Sequence, residues 1–350
     1  MGGRNVAMLV AMGLFLFVGA VTLCGVSVRE STLVPGVDAD VGRRRRGHLT
    51  AAVATIFLAV MLWAGWHWWS GIDAAYRAAI FAPLPTVATV EQIAGAEALE
   101  LEITDQRWVE GGWSPLVPDH GKLMHMFLVR DDLGAFAHVH PVAVDGSRFR
   151  LQMPPLPRGS YRLYADIVVE SGFSQTLVNQ IELKRPAAEL AESGADGVFA
   201  DVPTVDPDDS WTVGLHSGDS VVFDDGTEIE WMRRAGPITT GDDLTLAFQV
   251  RDAAGAPAAL EPYMGMLSHS AVTREDGEVF VHLHPTGSIS MGALMVASQR
   301  RNLAAGHIDR REPGRVTFPY AFPQAGGYRV WVQVKRDGRI YTADFELTVR

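Results

Sequence analysis

Two stretches of the sequence carry three histidines each at the same spacing. Leu123 to Pro141 reads LMHMFLVRDDLGAFAHVHP, and Leu267 to Pro285 reads LSHSAVTREDGEVFVHLHP. Offset by 144 positions without a gap, 8 of these 19 pairs are identical, and all three histidines are among them. A self-similar element of this kind points to a duplicated domain. Side chains two apart on a strand share a face, so His138 and His140 project together, as do His282 and His284. Asp131-Asp132-Leu133-Gly134 is a natural hairpin turn. Pairing Arg130 with Ala135 across it sets His125 opposite His140, with His138 on the diagonal. Opposed Cβ atoms lie about 4.5–5.5 Å apart and diagonal ones about 7–8 Å. Three imidazoles so placed can coordinate one ion at about 2.0–2.1 Å. The same construction makes His269, His282 and His284 a second cluster.

Three histidines without a thiolate suit zinc or copper, and thioether neighbours shift the balance toward copper. Met124 and Met126 flank His125, Met264 and Met266 precede His269, and Met291 and Met295 follow His284. These methionines and His120 are weaker ligand candidates. His216 and His307 have no spacing argument. On strands, methionine more often fills a core, and Met124 and Met126 alternate away from His125. The histidines also admit readings without metal: ties between turn and backbone, a protonation switch, or a carboxylate pocket. Against a purely structural role, partly buried imidazoles need partners for both nitrogens, and each half has three. Arg130 with Asp132, and Arg274 with Asp276, recur at the turn as surface ion pairs. Phe136 and Phe280 recur as packing residues, and Tyr161 and Tyr328 as sandwich-edge residues.

The elements around these residues read as short strands. Leu99–Thr104, Leu123–Arg130, Phe136–Val142, Tyr161–Val169, Leu177–Leu183, Leu244–Arg251, Val279–His284, Tyr328–Val334 and Tyr341–Val349 are apolar or alternating runs between turn residues. Such a pattern reads as β-sandwich and not as βαβ. Asp337-Gly338 marks a hairpin. GSYRLY from Gly159 echoes GYRVW from Gly327. The expected fold is mainly β, with two N-terminal transmembrane helices followed by two tandem immunoglobulin-like sandwiches, residues 86–184 and 211–350. Residues 185–210, rich in Ala, Asp, Pro and Gly, are the expected linker.

Residues 1–70 hold the membrane segments. Val6 to Val28 is 23 residues without a charge, and a second apolar run covers about 49–69; either spans a hydrocarbon core of about 30 Å. Arg29 and Arg43 to Arg46 lie between them, and arginine bias in short loops places that side in the cytoplasm. Trp63, Trp66, Trp68 and Trp69 form an interfacial belt, and Gly71 to Ala82 a short helix leaving the membrane. Reading the first run as a cleaved signal peptide would put four arginines outside, against the charge rule. Residues 70–350 are therefore expected in the periplasm, anchored to a bacterial inner membrane.

Those exterior residues hold 24 Lys and Arg against 38 Asp and Glu, an acidic body unsuited to a nucleic-acid backbone. Cys24 is the single cysteine, which removes disulfides, redox pairs, cysteine nucleophiles and thiolate ligands from the exterior. No phosphate-binding glycine loop, nucleophile elbow or H-E-x-x-H occurs.

HLHPTGSISM from His282 and FPYAFPQAGGYRVWVQVK from Phe318 resemble uncharacterised bacterial envelope proteins that carry a His-x-His-Pro hairpin in immunoglobulin-like domains. In general design the chain is similar to small periplasmic copper-handling β-sandwiches, which bind copper through His and Met. It departs from blue-copper carriers in lacking a cysteine ligand, and from carriers using an N-terminal amine because a membrane span follows this N-terminus. The expectation is non-enzymatic binding of copper or zinc for delivery, buffering or resistance, with the inner membrane, the metal ion and another envelope protein as partners. The alternative is an envelope interaction or assembly module whose sandwiches bind another protein and whose histidines are structural. A metalloenzyme is not expected, because no spacing places an acid or base beside the clusters.

Overall fold

The computed structural model describes residues 3–80, 83–93, 96–109, 115–184, 206–290, 292 and 312–350, in two compact units divided after Ala82. The first unit is a helical hairpin of α1 (Gly3–Glu30) and α2 (Val41–Ile80). Both candidate spans, Ala11–Glu30 and Val41–Ala75, have 0% of their apolar window buried in protein. Helices apolar all round and uncovered by protein are suited to a bilayer. Asp40 caps α2 by accepting the Arg43 N–H at 2.7 Å, the role of Asp at a helix start. α2 then runs unbroken through the arginines, the apolar run and residues 71–80. The arginines thus occupy its first turns, and the separate short helix expected after the membrane is the end of α2. A Cβ on Gly47 would meet the Gly25 carbonyl oxygen at 2.8 Å, so the close helix crossing requires glycine there.

In the second unit, β1 (Thr86–Ile93), β2 (Ala96–Ile103), β6 (Arg148–Gln152) and β5 (Val142–Ala143) form one sheet in that order. Facing it is a sheet in the order β8 (Ser174–Leu183), β7 (Gly159–Val168), β3 (His125–Arg130), β4 (Ala135–Val139) and β9 (Ser210–Val213). The second half repeats the plan. One sheet is β10 (Ser220–Val222), β11 (Glu228–Trp231), β12 (Leu244–Arg251) and β15 (Arg315–Tyr320); the other is β14 (Phe280–Leu283), β13 (Ser268–Arg274), β16 (Gly326–Arg336) and β17 (Arg339–Val349). Two antiparallel sheets closed over an apolar core make each half a sandwich, so the mainly β architecture expected from the sequence is present. Most of the linker lies outside the described residues. Its end, Ser210, opens β9, which pairs with β4 and adds a fifth strand to the first half's sheet.

The hairpins adopt the register expected from their turns. Val129 pairs with Phe136 and Met126 with Val139; in the second half Thr273 pairs with Phe280 and Ser270 with Leu283. Along β3, Met126 and Leu128 enter the first core, whereas Phe127 and Val129 enter a cluster with Phe136, Tyr164, Ala271 and Trp331 that joins the halves. β3 and β13 are therefore buried on both faces, like strands of a covered sheet. The join is reciprocal. Phe136 stacks on Trp331 at 4.5 Å and 10°, and Phe280 stacks on Tyr164 at 4.0 Å and 3°. Equivalent residues exchanging partners in this way mark an approximate two-fold axis between the halves.

Candidate metal centre

The histidines share the β3 and β13 faces that point at the other half. Within the first hairpin, ring centroids of His125 lie 5.3 Å from His138 and 5.0 Å from His140. Within the second, those of His269 lie 5.4 Å from His282 and 5.2 Å from His284. Across the axis, His282 is 5.3 Å from both His125 and His138. The two clusters read from the sequence are one centre. His120 joins it, 5.0 Å from His269 and 4.9 Å from His284.

The remaining candidates divide between the first core, the loop before His269 and positions apart. Met124 and Met126 are fully buried in the first core, on the opposite strand face from His125, which removes them as ligands. Met264 and Met266 are buried yet belong to none of the three apolar clusters. His216 sits apart, paired with Asp344 at 2.5 Å. Met291, Met295 and His307 lie outside the described residues.

Hydrogen-bond partners fix the tautomers. A carbonyl oxygen only accepts, and a neutral imidazole has one N–H and one bare nitrogen. His125 Nε2 lies 3.0 Å from the Asp119 carbonyl, so Nε2 carries the hydrogen and Nδ1 is bare. His138 Nδ1 donates to Gln333 Oε1 at 2.8 Å, leaving Nε2 bare; the Gln333 amide nitrogen is engaged by Ser210. These two bare nitrogens face each other at 3.1 Å. The second hairpin repeats the arrangement. His269 Nε2 donates to the Tyr263 carbonyl at 3.1 Å, which leaves Nδ1 bare, and that Nδ1 lies 3.3 Å from His282 Nε2, with Asp166 3.5 Å from the other nitrogen of the His282 ring.

The third ring of each hairpin is held in the same manner. His140 Nδ1 donates to Asp209 at 2.8 Å and His284 Nδ1 to the Ile289 carbonyl at 3.2 Å. Their Nε2 atoms, and that of His120, are buried without a hydrogen-bond partner. Rings tied down through one nitrogen with the other left bare are how proteins orient metal-binding imidazoles. A tetrahedral ion at about 2.0–2.1 Å would set its ligand nitrogens about 3.3 Å apart, close to both His–His separations.

A proton is the other cation that would relieve opposed lone pairs, and the surroundings disfavour it. Burial, and then the neighbouring imidazoles, hold His125, His138, His269 and His282 well below the usual histidine range. His284 is pushed down to about 3, chiefly by burial. Burial raises Asp166 to about 7.

Two non-overlapping sets place three nitrogens within 4.8 Å of one another: His125, His138 and His140; and His120, His269 and His284. The second set differs from the expected trio, because His120 of the first half takes the place given to His282. The signal for His120 was an upstream extension of the repeat. Pro118-Asp119-His120-Gly121 and Pro262-Tyr263-Met264-Gly265 also stand 144 apart. His120 and Met264 have φ of 51° and 49°, followed by Gly121 and Gly265 at 82° and 78°. Successive left-handed residues require the glycines, and the turn aims the Asp119 and Tyr263 carbonyls at His125 and His269.

No curated protein matches the chain in sequence. Among solved structures, a chimeric titin Z1Z2 bearing a decorin peptide is similar at 12% identity and a TM-score of 0.17, covering 77% of this chain and 99% of that one. A Salmonella alpha-2-macroglobulin mutant is similar at 11% identity and a TM-score of 0.22, covering 77% of this chain and 15% of that one. The chicken interferon gamma receptor alpha chain is similar at 10% identity and a TM-score of 0.19, covering 76% and 98%. A family profile described as a domain of unknown function, DUF8832, matches residues 87–183 and 220–350. Those stretches contain both histidine hairpins and the turns that precede them, and the chain belongs to the DUF8832 family.

Proposed function

We propose that the chain is a membrane-anchored metal-binding protein of the bacterial envelope, with its centre on the periplasmic side of the inner membrane and copper as its ion. The observation that carries this reading is the opposition of the bare His125 and His138 nitrogens at 3.1 Å inside a buried interface, with His269 and His282 nitrogens set 3.3 Å apart in the equivalent place. Without a cation, these groups meet lone pair to lone pair where water does not reach, a costly arrangement for buried polar atoms. Imidazole suits both copper and zinc, and the buried Met264 and Met266 beside the centre's loop favour copper. The arginines at the start of α2 support the orientation.

Binding, not turnover, is the role. The carboxylates of Asp209 and Asp166 face Nδ1 atoms of His140 and His282, where they orient rings. Delivery, buffering or resistance follows from such a centre, with a second envelope protein as donor or recipient of the ion.

The test is equilibrium dialysis of the detergent-solubilised full chain against Cu(I) under reductant, Cu(II) and Zn(II). Wild type is compared with the double variant His138→Gln, His282→Gln. Tight binding by wild type, weakened about 100-fold or more in the variant, is expected. Equal metal content in both folded proteins overturns the reading and leaves an interaction module with structural histidines.

A further inference from the structure

We infer that the centre holds two ions in unlike ligand sets, one on each side of the approximate two-fold axis. One set is all imidazole, from His120, His269 and His284. The other joins His125, His138 and His140 to the thioether of Met264. This deepens the metal-binding reading and rests on it.

The number of donors comes first. His125 Nδ1, His138 Nε2 and His269 Nδ1 are bare by their partners, and His120, His140 and His284 each bury an Nε2 without a hydrogen-bond partner. A tetrahedral ion uses four, so one ion leaves buried imidazole nitrogens unmet. The nitrogens also divide spatially, because the two all-histidine sets within 4.8 Å share no residue; a third grouping joins His140 to Asp206 and Asp209, on the first set's side. His282, with Nε2 3.3 Å from His269 Nδ1, stands beside the second set.

The difference between the sets comes from the exchanged turn. His120 leaves its own half, hydrogen-bonds the Met264 backbone and lies against His269 and His284. Met264 is its counterpart by sequence offset, left-handed φ and following glycine. By that symmetry Met264 stands to the first set as His120 stands to the second, and it is buried outside every apolar cluster. A thioether selects soft Cu(I), whereas an imidazole-only position accepts Cu(II) or Zn(II) as readily. The first position is thus a cuprous site and the second a less selective one.

The experiment counts ions per chain by mass spectrometry of the elements after dialysis of the full chain in detergent against Cu(I) under reductant, and separately Zn(II). Wild type is expected to retain two Cu(I). His140→Gln and His284→Gln are each expected to retain one, and the double variant none. Met264→Leu, which preserves size and apolarity, is expected to weaken Cu(I) at one position about tenfold and leave zinc unchanged. His120→Gln is expected to weaken the other position. One ion in wild type, lost equally in either single variant, overturns the two-ion assignment while leaving the metal-binding reading intact. No ion in wild type overturns both. Equal Cu(I) affinity in Met264→Leu and wild type removes the thioether from the first set.

Discussion

A neutral imidazole can satisfy one acceptor and one donor, and for His125, His138, His140, His269 and His284 the donor side is already spent on a carbonyl, an amide or a carboxylate. Asp209 does this for His140, accepting both the ring N–H at 2.8 Å and the backbone N–H at 2.9 Å. Replacing Asp209 by Asn keeps the shape and removes the charge behind the ring. Metal affinity is expected to fall about 10–100-fold, measured by competition with a chromophoric chelator; unchanged affinity would show that His140 is not a ligand. The same rings set a pH dependence for the metal-free chain. Unfolded histidines take up protons near pH 6.5, whereas burial holds His125, His138, His269 and His282 well below that and His284 at about 3. The unfolded state therefore binds more protons in this window, and stability present above about pH 6.5 is lost as pH falls, by about 1.4 kcal/mol per unit for each of these imidazoles. Asp166, raised to about 7, acts in the opposite sense, but it is a single group against several rings. Thermal unfolding of the metal-free chain between pH 8 and pH 5 checks this, and a flat profile would contradict it.

At the scale of elements, the centre depends on strands buried on both faces. β3 sends Met126 and Leu128 into its own core, while Phe127, Val129 and His125 meet the other half. The aromatic stacks of Phe136 on Trp331 and Phe280 on Tyr164 hold the hairpins at the spacing that lets the imidazoles converge. Phe136→Ala should cost about 3–5 kcal/mol, the range for truncating a buried Phe, and Phe280→Ala, at a partly buried position, less, both read as a lower denaturant midpoint. Each should also weaken metal binding although neither residue is a ligand. A variant that loses stability but binds metal as wild type does would show that the stacks do not position the centre.

For the whole molecule, the question is which side of the membrane the sandwiches occupy. Arg43 to Arg46 open α2, whose 40 residues reach about 60 Å at 1.5 Å per residue. That is about twice a hydrocarbon core, so α2 has length to spare beyond the span. The proposed orientation, with the arginines in the cytoplasm, requires the sandwiches to lie outside. Ser217 is exposed. In a Cys24→Ser background, Ser217→Cys should react with a membrane-impermeant maleimide once the outer membrane is permeabilised. Labelling only after the inner membrane is lysed would reverse the orientation.

The paired His-x12-His-x-His-Pro elements, the strand alternation and the turn at Asp131–Gly134 set the hairpin register, because side-chain direction on a strand has a period of two and a short turn leaves one pairing. Apolar length likewise made the two long N-terminal helices legible. The fate of Met124 and Met126 followed from the same alternation. What the sequence alone left open was which face of each hairpin would be covered, and by what. Whether the histidines made two centres or one depended on sandwich docking, set by contacts such as Phe136 with Trp331, which lie 195 residues apart. The exchange of His120 into the second set depended on that docking too. Local patterning fixes what a strand presents; only packing between distant strands decides what it meets.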